Sequence, residues 1–529
     1  MLVEAQPTAK RTRVPSWILI SVVIFVVAVV GALIFVLANW PFKRDNVAKA
    51  LGQTFASTVD IKQFHNTYFP PGCVAEGIAF RDGRSLGTIG KLTIEANWAT
   101  LLAMQKRIET IRAEGLFVRV LPHGQSANGA KPDDGGSSNS KLVVGRITAD
   151  GAVLEVDRTD QSKPPLRFEI HQLTLNNVGR GRAMSYRAAL RNPEPPGEIT
   201  STGQFGPFNM DDHGKTPLSG SYSFEHADLG LFHLVAGTLS SKGTFKGILE
   251  RIEVHGSTAI PDFEAKSSGH PVNLTTQFHA FVKGTNGDVL LDPADSHIEQ
   301  TGIISTGGIV GMQGQKGKTV SLEMTVRQGY IQDLMRLLMK SPRPPMVGVI
   351  GFQAKAVVPP SGGKFLERLN LTGDFGIGDA RFTNPKTRKN IDVLSERARG
   401  DKNDDNDPQN VISNLKGHVV VRNGVAQFSN LTFGVPGALA QLDGTFNLLD
   451  QRIDLHGDLT MQADLSDATK GVKSFLLKAV DPFFKNKKRN AGAVVPIHIG
   501  GTYSHPSYGL DITGKKEHRI ERRLKAGVN

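Results

Sequence analysis

Val320-Ser321-Leu322-Glu323-Met324-Thr325-Val326-Arg327 is the stretch that decides the fold. Apolar side chains fall at every second position, and polar or charged ones fill the places between them. A surface helix would repeat its apolar residues at i, i+3, i+4 and i+7. A period of two instead places one set on each side of an extended strand. One face is therefore apolar and the other wet, the pattern of an antiparallel sheet covered on one side only. The pattern recurs along the chain. Ile453, Leu455, Leu459 and Met461 interleave with Asp454, His456, Asp458 and Thr460. Val495-Ile497-Ile499, Leu166-Phe168-Ile170 and Tyr508-Leu510-Ile512 repeat it, and Asn-Gly at 286–287 and 423–424 supplies positive-φ turns.

The chain has 529 residues, with 57 Gly, 28 Pro and a single cysteine, Cys73. One cysteine excludes a disulfide framework and a Cys-based zinc cluster within the chain. The length exceeds the roughly 250–300 residues at which one compact core stops growing. Either several domains form, or one body grows in a single dimension. The glycines are dispersed rather than clustered, which reads as many turns and hence many strands. At about 15 residues per strand and turn, on the order of 30 strands about 4.8 Å apart are expected. Open sheets rarely exceed about 10 strands without curling or splitting. A mainly β chain is expected whose sheet must curve, close or break into domains; an elongated, curved antiparallel sheet with its apolar face inward would make a taco-like groove.

A few short helices interrupt the strands. Val47, Leu51 and Phe55 predict one over Phe42–Ser57, and Leu334, Leu337 and Leu338 another over Tyr330–Lys340. Further helices are expected over Trp98–Glu114 and Lys470–Phe484. Two polar stretches, 123–141 and Gly400–Gln409, read as disordered loops.

No residue between Arg13 and Lys43 is charged, and Ile18–Ala38 is a continuous apolar run bracketed by Trp17 and Trp40. About 20 such residues span a ~30 Å hydrocarbon core, and tryptophan favours its interfaces. A cleaved signal peptide would carry a shorter apolar region of roughly 7–15 residues. The run therefore reads as a retained single-pass anchor. Lys10, Arg11 and Arg13 before it favour a cytoplasmic N-terminus, with the rest of the chain across the membrane.

No catalytic constellation emerges, and no cofactor or metal ligand set is expected. Gly311–Thr319 ends in Gly-Lys-Thr, but Met312 stands where a phosphate-binding loop needs glycine, and a strand pattern follows. A basic hairpin turn is the reading. The 15 histidines are scattered, with His213, His226 and His233 the nearest group, read as polar turn and surface positions. Cys73 reads as a small buried residue. Asp404, Asp405 and Asp407 lack calcium-loop spacing. The net charge of +12 is concentrated partly in Lys485–Arg489 and the tail Lys515–Asn529. Beyond a membrane, such charge attracts anionic lipid headgroups or phosphorylated glycolipid, or serves only to solubilise the tail, and nucleic acid is not an expected partner.

At both ends the chain resembles the AsmA family of bacterial envelope proteins. The N-terminal resemblance runs through Pro41, Val59-Asp60-Ile61, Tyr68-Phe69-Pro70-Pro71-Gly72 and Glu76-Gly77-Ile78-Ala79-Phe80. The C-terminal one takes in Phe382, Asp392-Val393-Leu394-Ser395, Gly417–Val421, Gly444–Leu448, Ile453–Gly457 and Val495–Thr502, then Pro506. The family, with its TamB-like group, resembles the bridge-like lipid transfer proteins. The resemblance implies a bacterial inner-membrane anchor, a periplasmic groove-forming β body, and a role in outer-membrane biogenesis and phospholipid movement. It divides the chain into a cytoplasmic N-terminus (1–16), the transmembrane helix (17–40) and an AsmA-like N-terminal region (41–122). A loop (123–141), a central groove region (142–399), an acidic loop (400–413), an AsmA-like C-terminal domain (414–513) and a basic tail (514–529) follow.

The residues expected to line the groove are Val320, Leu322, Met324, Val326, Ile453, Leu455, Leu459, Val495, Ile497 and Ile499. The expected partners are the membrane and phospholipid, with no cofactor. The competing expectation is an anchored scaffold with an ordinary closed core, which assists outer-membrane proteins through protein contacts.

Overall fold

The computed structural model of the chain describes residues 40–511. Within that range it leaves out 56–57, 82–84, 103–106, 121–142, 158–163, 180, 210–211, 233–234, 267, 312–316, 340–342, 361–364, 462–492 and 503–504, together with 384–412 save Pro385, Arg388, Asp392 and Ser395. The chain is mainly β, and it divides into two compact units, Met1–Arg167 and Phe168–Asn529. The expected span Ile18–Ala38, the loop 123–141, the helix Lys470–Phe484 and both basic runs lie outside the described residues. Among the described residues, no helix is long and apolar enough to cross a membrane.

In the first unit, helix α1 (Arg44–Phe55) packs on strand β1 (Thr58–Tyr68). Strands β2 (Pro71–Arg81), β3 (Ser85–Glu95) and β4 (Arg107–Val120) continue the sheet in antiparallel fashion. Ile61, Ile78, Phe80, Ile89 and Leu92 fill its core. Cys73 is wholly buried among them, and burial pushes its thiol up to about 12, so it stays protonated and packs as a small apolar group.

Two expectations fail in this unit. The helix expected over Trp98–Glu114 shrinks to α2 (Trp98–Leu102), because the chain from Arg107 is strand. Ile111 and Ala113 pair with Ile94 and Leu92 of β3. An unpaired β3 edge leaves a row of amide and carbonyl groups unsatisfied, and that tertiary demand outweighs local helical periodicity. The sheet is also not antiparallel throughout. Strand β5 (Val143–Val156) runs parallel to β4. Parallel neighbours need a connection of about a dozen residues or more, and Val120 and Val143 are far enough apart in sequence to allow one.

The second unit is one ladder. It comprises β6 (Leu166–Gly179), β7 (Met184–Pro193), β8 (Pro196–Phe205), β9 (Pro217–Asp228), β10 (Val235–Ala236), β11 (Thr238–Ile248), β12 (Arg251–Ala265), β13 (Pro271–Lys283) and β14 (Asp288–Ile298). It goes on through β15 (Thr301–Gly311), β16 (Lys318–Tyr330), β17 (Met346–Val358), β18 (Asn370–Phe382), β19 (Ser413–Arg422), β20 (Val425–Val435), β21 (Ala438–Asn447), β22 (Ile453–Met461), β23 (Ala493–Gly501) and β24 (Pro506–Leu510). From β6 each strand pairs antiparallel with its successor, except that β9 pairs with β11 while the two-residue β10 lies against the far end of β12. Asn423 and Gly424 both take positive φ in the β19–β20 turn, as a two-residue hairpin requires. Gly311 pairs with Lys318, so the Gly-Lys-Thr stretch closes a hairpin and leads into a strand.

The sheet bends around helix α3 (Ile331–Leu338). An eight-residue helix rises only ~12 Å, yet α3 touches β12 and β13 on one side and β17 on the other. Five strand spacings on a flat sheet would cover ~24 Å, so the strands curl toward the helix. Ile331, Leu334 and Met335 pack on Met346, Ile350 and Ile377. Asp333 Oδ2 accepts from Thr301 Oγ1 at 2.9 Å and from the Gln300 amide at 3.2 Å, fixing the helix to β15.

The glycines correct a further expectation. Some sit in turns, as Gly287 and Gly424 do, but many lie within strands. Gly203 pairs with Gly220, and Gly243 with Gly256, in mid-ladder. A Cβ on Gly203 would lie 2.1 Å from the Ser219 carbonyl oxygen, and one on Gly243 2.5 Å from that of His255. Glycine in a strand interior marks a bend or a close backbone approach. Here it lets neighbouring strands crowd on one face, which a curving sheet requires.

Candidate functional site

Residues paired in register across strands share a face, so the pairing shows which side chains stand together. Leu322 lies in line with Gly307, Leu291, Ala280, Val254 and Phe245 in one direction. In the other direction it aligns with Ala356, Leu371, Val421, Ala426, Phe446 and Ile453. Met324 belongs to the next row, which runs through Ala354, Gly373, Val419, Phe428 and Gly444 to Leu455 and Ile499. Leu459 pairs with Val495, and Ile497 with Gly457, on the same side. All ten residues expected to line a groove therefore occupy one face of the second unit.

Their burial tells what that face is. Val320, Leu322, Met324, Ile453, Leu455, Leu459, Ile497 and Ile499 are half-buried. Residues facing a second layer in a closed sandwich would be buried outright. Two of the ten depart from the expectation: Val326 is 2% exposed and Val495 7%, so they belong to packed core rather than to an accessible lining. Val326 lies beside Phe352, which packs against the α3 cluster, and Val495 joins Val435, Ala438 and Met461.

The same face carries an apolar trough of about 530 Å³ across β9 and β11–β14, within the roughly 300–1,000 Å³ of ligand sites. Leu218, Tyr222, Phe245, Ile252, Val254, Phe278, Ala280, Val282, Val289 and Leu291 line it. The Tyr222 hydroxyl is the one polar side-chain group among them, and it is held by Ser241 Oγ at 3.2 Å. The aromatic rings lie down over glycines. A Cβ on Gly256 would come within 2.7 Å of the Phe278 ring, one on Gly243 within 2.9 Å of the Tyr222 ring, and one on Gly220 within 2.9 Å of the Phe245 ring. Strand glycines thus flatten the aromatics and keep the trough open.

The reverse side of these strands is wet. Glu225, Lys242, Ser257, Gln277, Asp295 and His297 surround a polar hollow of about 460 Å³ there. Hydrogen bonds from the Ser223 and Ser240 hydroxyls hold the Glu225 carboxyl below its ordinary range. Phe281 is an apolar exception on this side, covered by the Arg251 guanidinium 4.0 Å from its ring centre.

No family model, no curated protein and no solved structure matches this chain. The site therefore rests on its own geometry. Of the expected anchor residues, Trp17, Ile18 and Ala38 lie outside the described residues. Trp40 is 3% exposed, its ring 5.0 Å from that of Tyr68 and 5.8 Å from those of Phe42 and Trp98. It packs as the centre of an aromatic cluster in the first unit. The trough residues between Leu218 and Leu291 went unread in the sequence. Ile252-Val254 and Phe278-Ala280-Val282 do alternate, but Phe281 and Leu290 on the other face and the bulge at Asp292-Pro293 blur the period.

Proposed function

We propose that this chain is an AsmA-like envelope protein whose second unit binds phospholipid acyl chains along its apolar face. The observation that carries the reading is a predominantly apolar face, half-buried over strand after strand, with a trough set into it whose lining is apolar but for the Tyr222 hydroxyl. Each methylene moved from water onto such a surface gains about 0.8 kcal/mol at full burial. A face that accepts any methylene at any row binds chains without a unique anchor point and permits sliding from row to row. The polar headgroup stays in water beyond the strand ends, so no buried counter-charge is needed. In this reading Ile18–Ala38 anchors the protein in a bacterial inner membrane, the body lies in the periplasm, and the lipid supports outer-membrane biogenesis. The chemistry is binding and transfer, with no bond made or broken.

A photoreactive benzophenone amino acid in place of Phe245, in the trough, tests this against the same group at Gln277 on the wet face. Irradiation of cells should give a phospholipid adduct at position 245 and none at 277. Protein adducts at 245 with no lipid adduct would favour the scaffold role and reject lipid binding.

A further inference from the structure

The wet face of the second unit carries two side-chain clusters of one design. On β22, Asp454 and His456 stand two residues apart on the same side, and His498 of β23 faces His456 in register. Both Nε2 atoms lie 2.9 Å from Asp454 Oδ1, and the two rings stack with centres 4.3 Å apart. His456 Nδ1 lies 3.1 Å from Oδ2 of Asp511, just past β24. On β12 and β13, Glu253, His255 and His279 repeat the layout, with both Nε2 atoms 3.2–3.3 Å from Glu253 Oε1. There His279 Nδ1 donates to the Asp292 carbonyl at 2.6 Å.

In each cluster one imidazole has an acceptor at both nitrogens. Donation from Nδ1 leaves Nε2 of a neutral ring as a lone pair aimed at a carboxylate oxygen. That contact is repulsive unless a proton or a metal ion lies between. Two Nε2 atoms and one carboxylate oxygen form the donor set of a Zn²⁺-class ion with one position open. An Nδ1–H held by a carboxylate or carbonyl is the outer support such ligands use. Bonds of about 2.0–2.1 Å in a tetrahedral site put ligand atoms roughly 3.3 Å apart. The 2.9 Å separations therefore need to open by a few tenths of an ångström, with the stacked rings tilting toward the ion.

We propose that Asp454, His456 and His498 bind a divalent transition-metal ion of the Zn²⁺ class, with Asp511 positioning His456. The ion ties β22 to β23, and through Asp511 to the chain beyond β24, fastening the last strands of the ladder on the face opposite the apolar one. Glu253, His255 and His279 form a second, weaker site, because Glu253 is shared with Lys246 at 3.4 Å.

The test is calorimetric titration of the chelator-treated full chain with Zn²⁺ alone. Two classes of ion are expected, and His498→Gln should remove the tighter one, weakening it at least tenfold. Asp511→Asn should keep the stoichiometry and weaken that class by 10- to 100-fold. His498 is partly exposed, so its variant should retain the wild-type far-ultraviolet circular dichroism. Unchanged Zn²⁺ binding in His498→Gln, or no binding at micromolar Zn²⁺ in the parent chain, overturns the proposal. If the variant misfolds, Co²⁺ added to the parent decides: intense visible bands of a four-coordinate ion support the site, and their absence rejects it.

Discussion

Val254→Glu is expected to abolish lipid loading while the chain keeps its β structure. Val254 sits in the trough, in register with Phe245 and Ala280, and is half-buried. A carboxylate there stays hydrated because the face is open, so the folding cost remains within about 1–2 kcal/mol, ordinary for a half-buried substitution. An acyl chain laid over it would strip that hydration and gain nothing in return, and binding across these rows should be lost. A closed core would behave in the opposite way. Burying an unpaired carboxylate costs several kcal/mol, and the unit would unfold. Circular dichroism beside lipid quantification separates the two outcomes. Gln277→Glu, on the exposed wet face, should change neither.

Gly457→Ala carries the second large effect, and its sign opposes local propensity. Alanine in a strand interior ordinarily gains about 0.5–1 kcal/mol over glycine. At Gly457 a Cβ would lie 1.8 Å from the Gln441 carbonyl oxygen and 2.9 Å from the Leu442 Cα. Both are backbone atoms of the paired strand β21 and cannot swing aside as a side chain can. The ladder must separate locally or lose curvature, and the loss should reach about 3 kcal/mol, the upper part of the overpacking range. A lowered denaturant midpoint is the expected result. A raised one would mean that the close approach of β21 and β22 is not required.

Much of this was legible in the sequence because period two survives in single strands. β16, β22 and β23 announce themselves through Val320–Arg327, Ile453–Met461 and Val495–Ile499, and those same residues mark the apolar face. What stayed hidden depends on register, which no local pattern encodes. The trough needs Phe245, Val254, Ala280 and Leu291 brought into line across four strands. The paired histidines come from separate strands with no fixed spacing between them. Glycine misled for a steric reason: the residue that opens turns also permits close strand approach, and Gly243, Gly256 and Gly457 serve the latter purpose. β4 misled because Trp98–Glu114 satisfies a helical period, while the open edge of β3 claims the chain from Arg107 onward.

The proposed function requires that lipid occupy the apolar face in the working protein. Organic extraction of the gently purified full chain, followed by mass spectrometry of the extract, measures that directly. Phospholipid is expected in at least equimolar amount, depleted in parallel preparations of Val254→Glu. A fully β-structured chain that yields no phospholipid would contradict it.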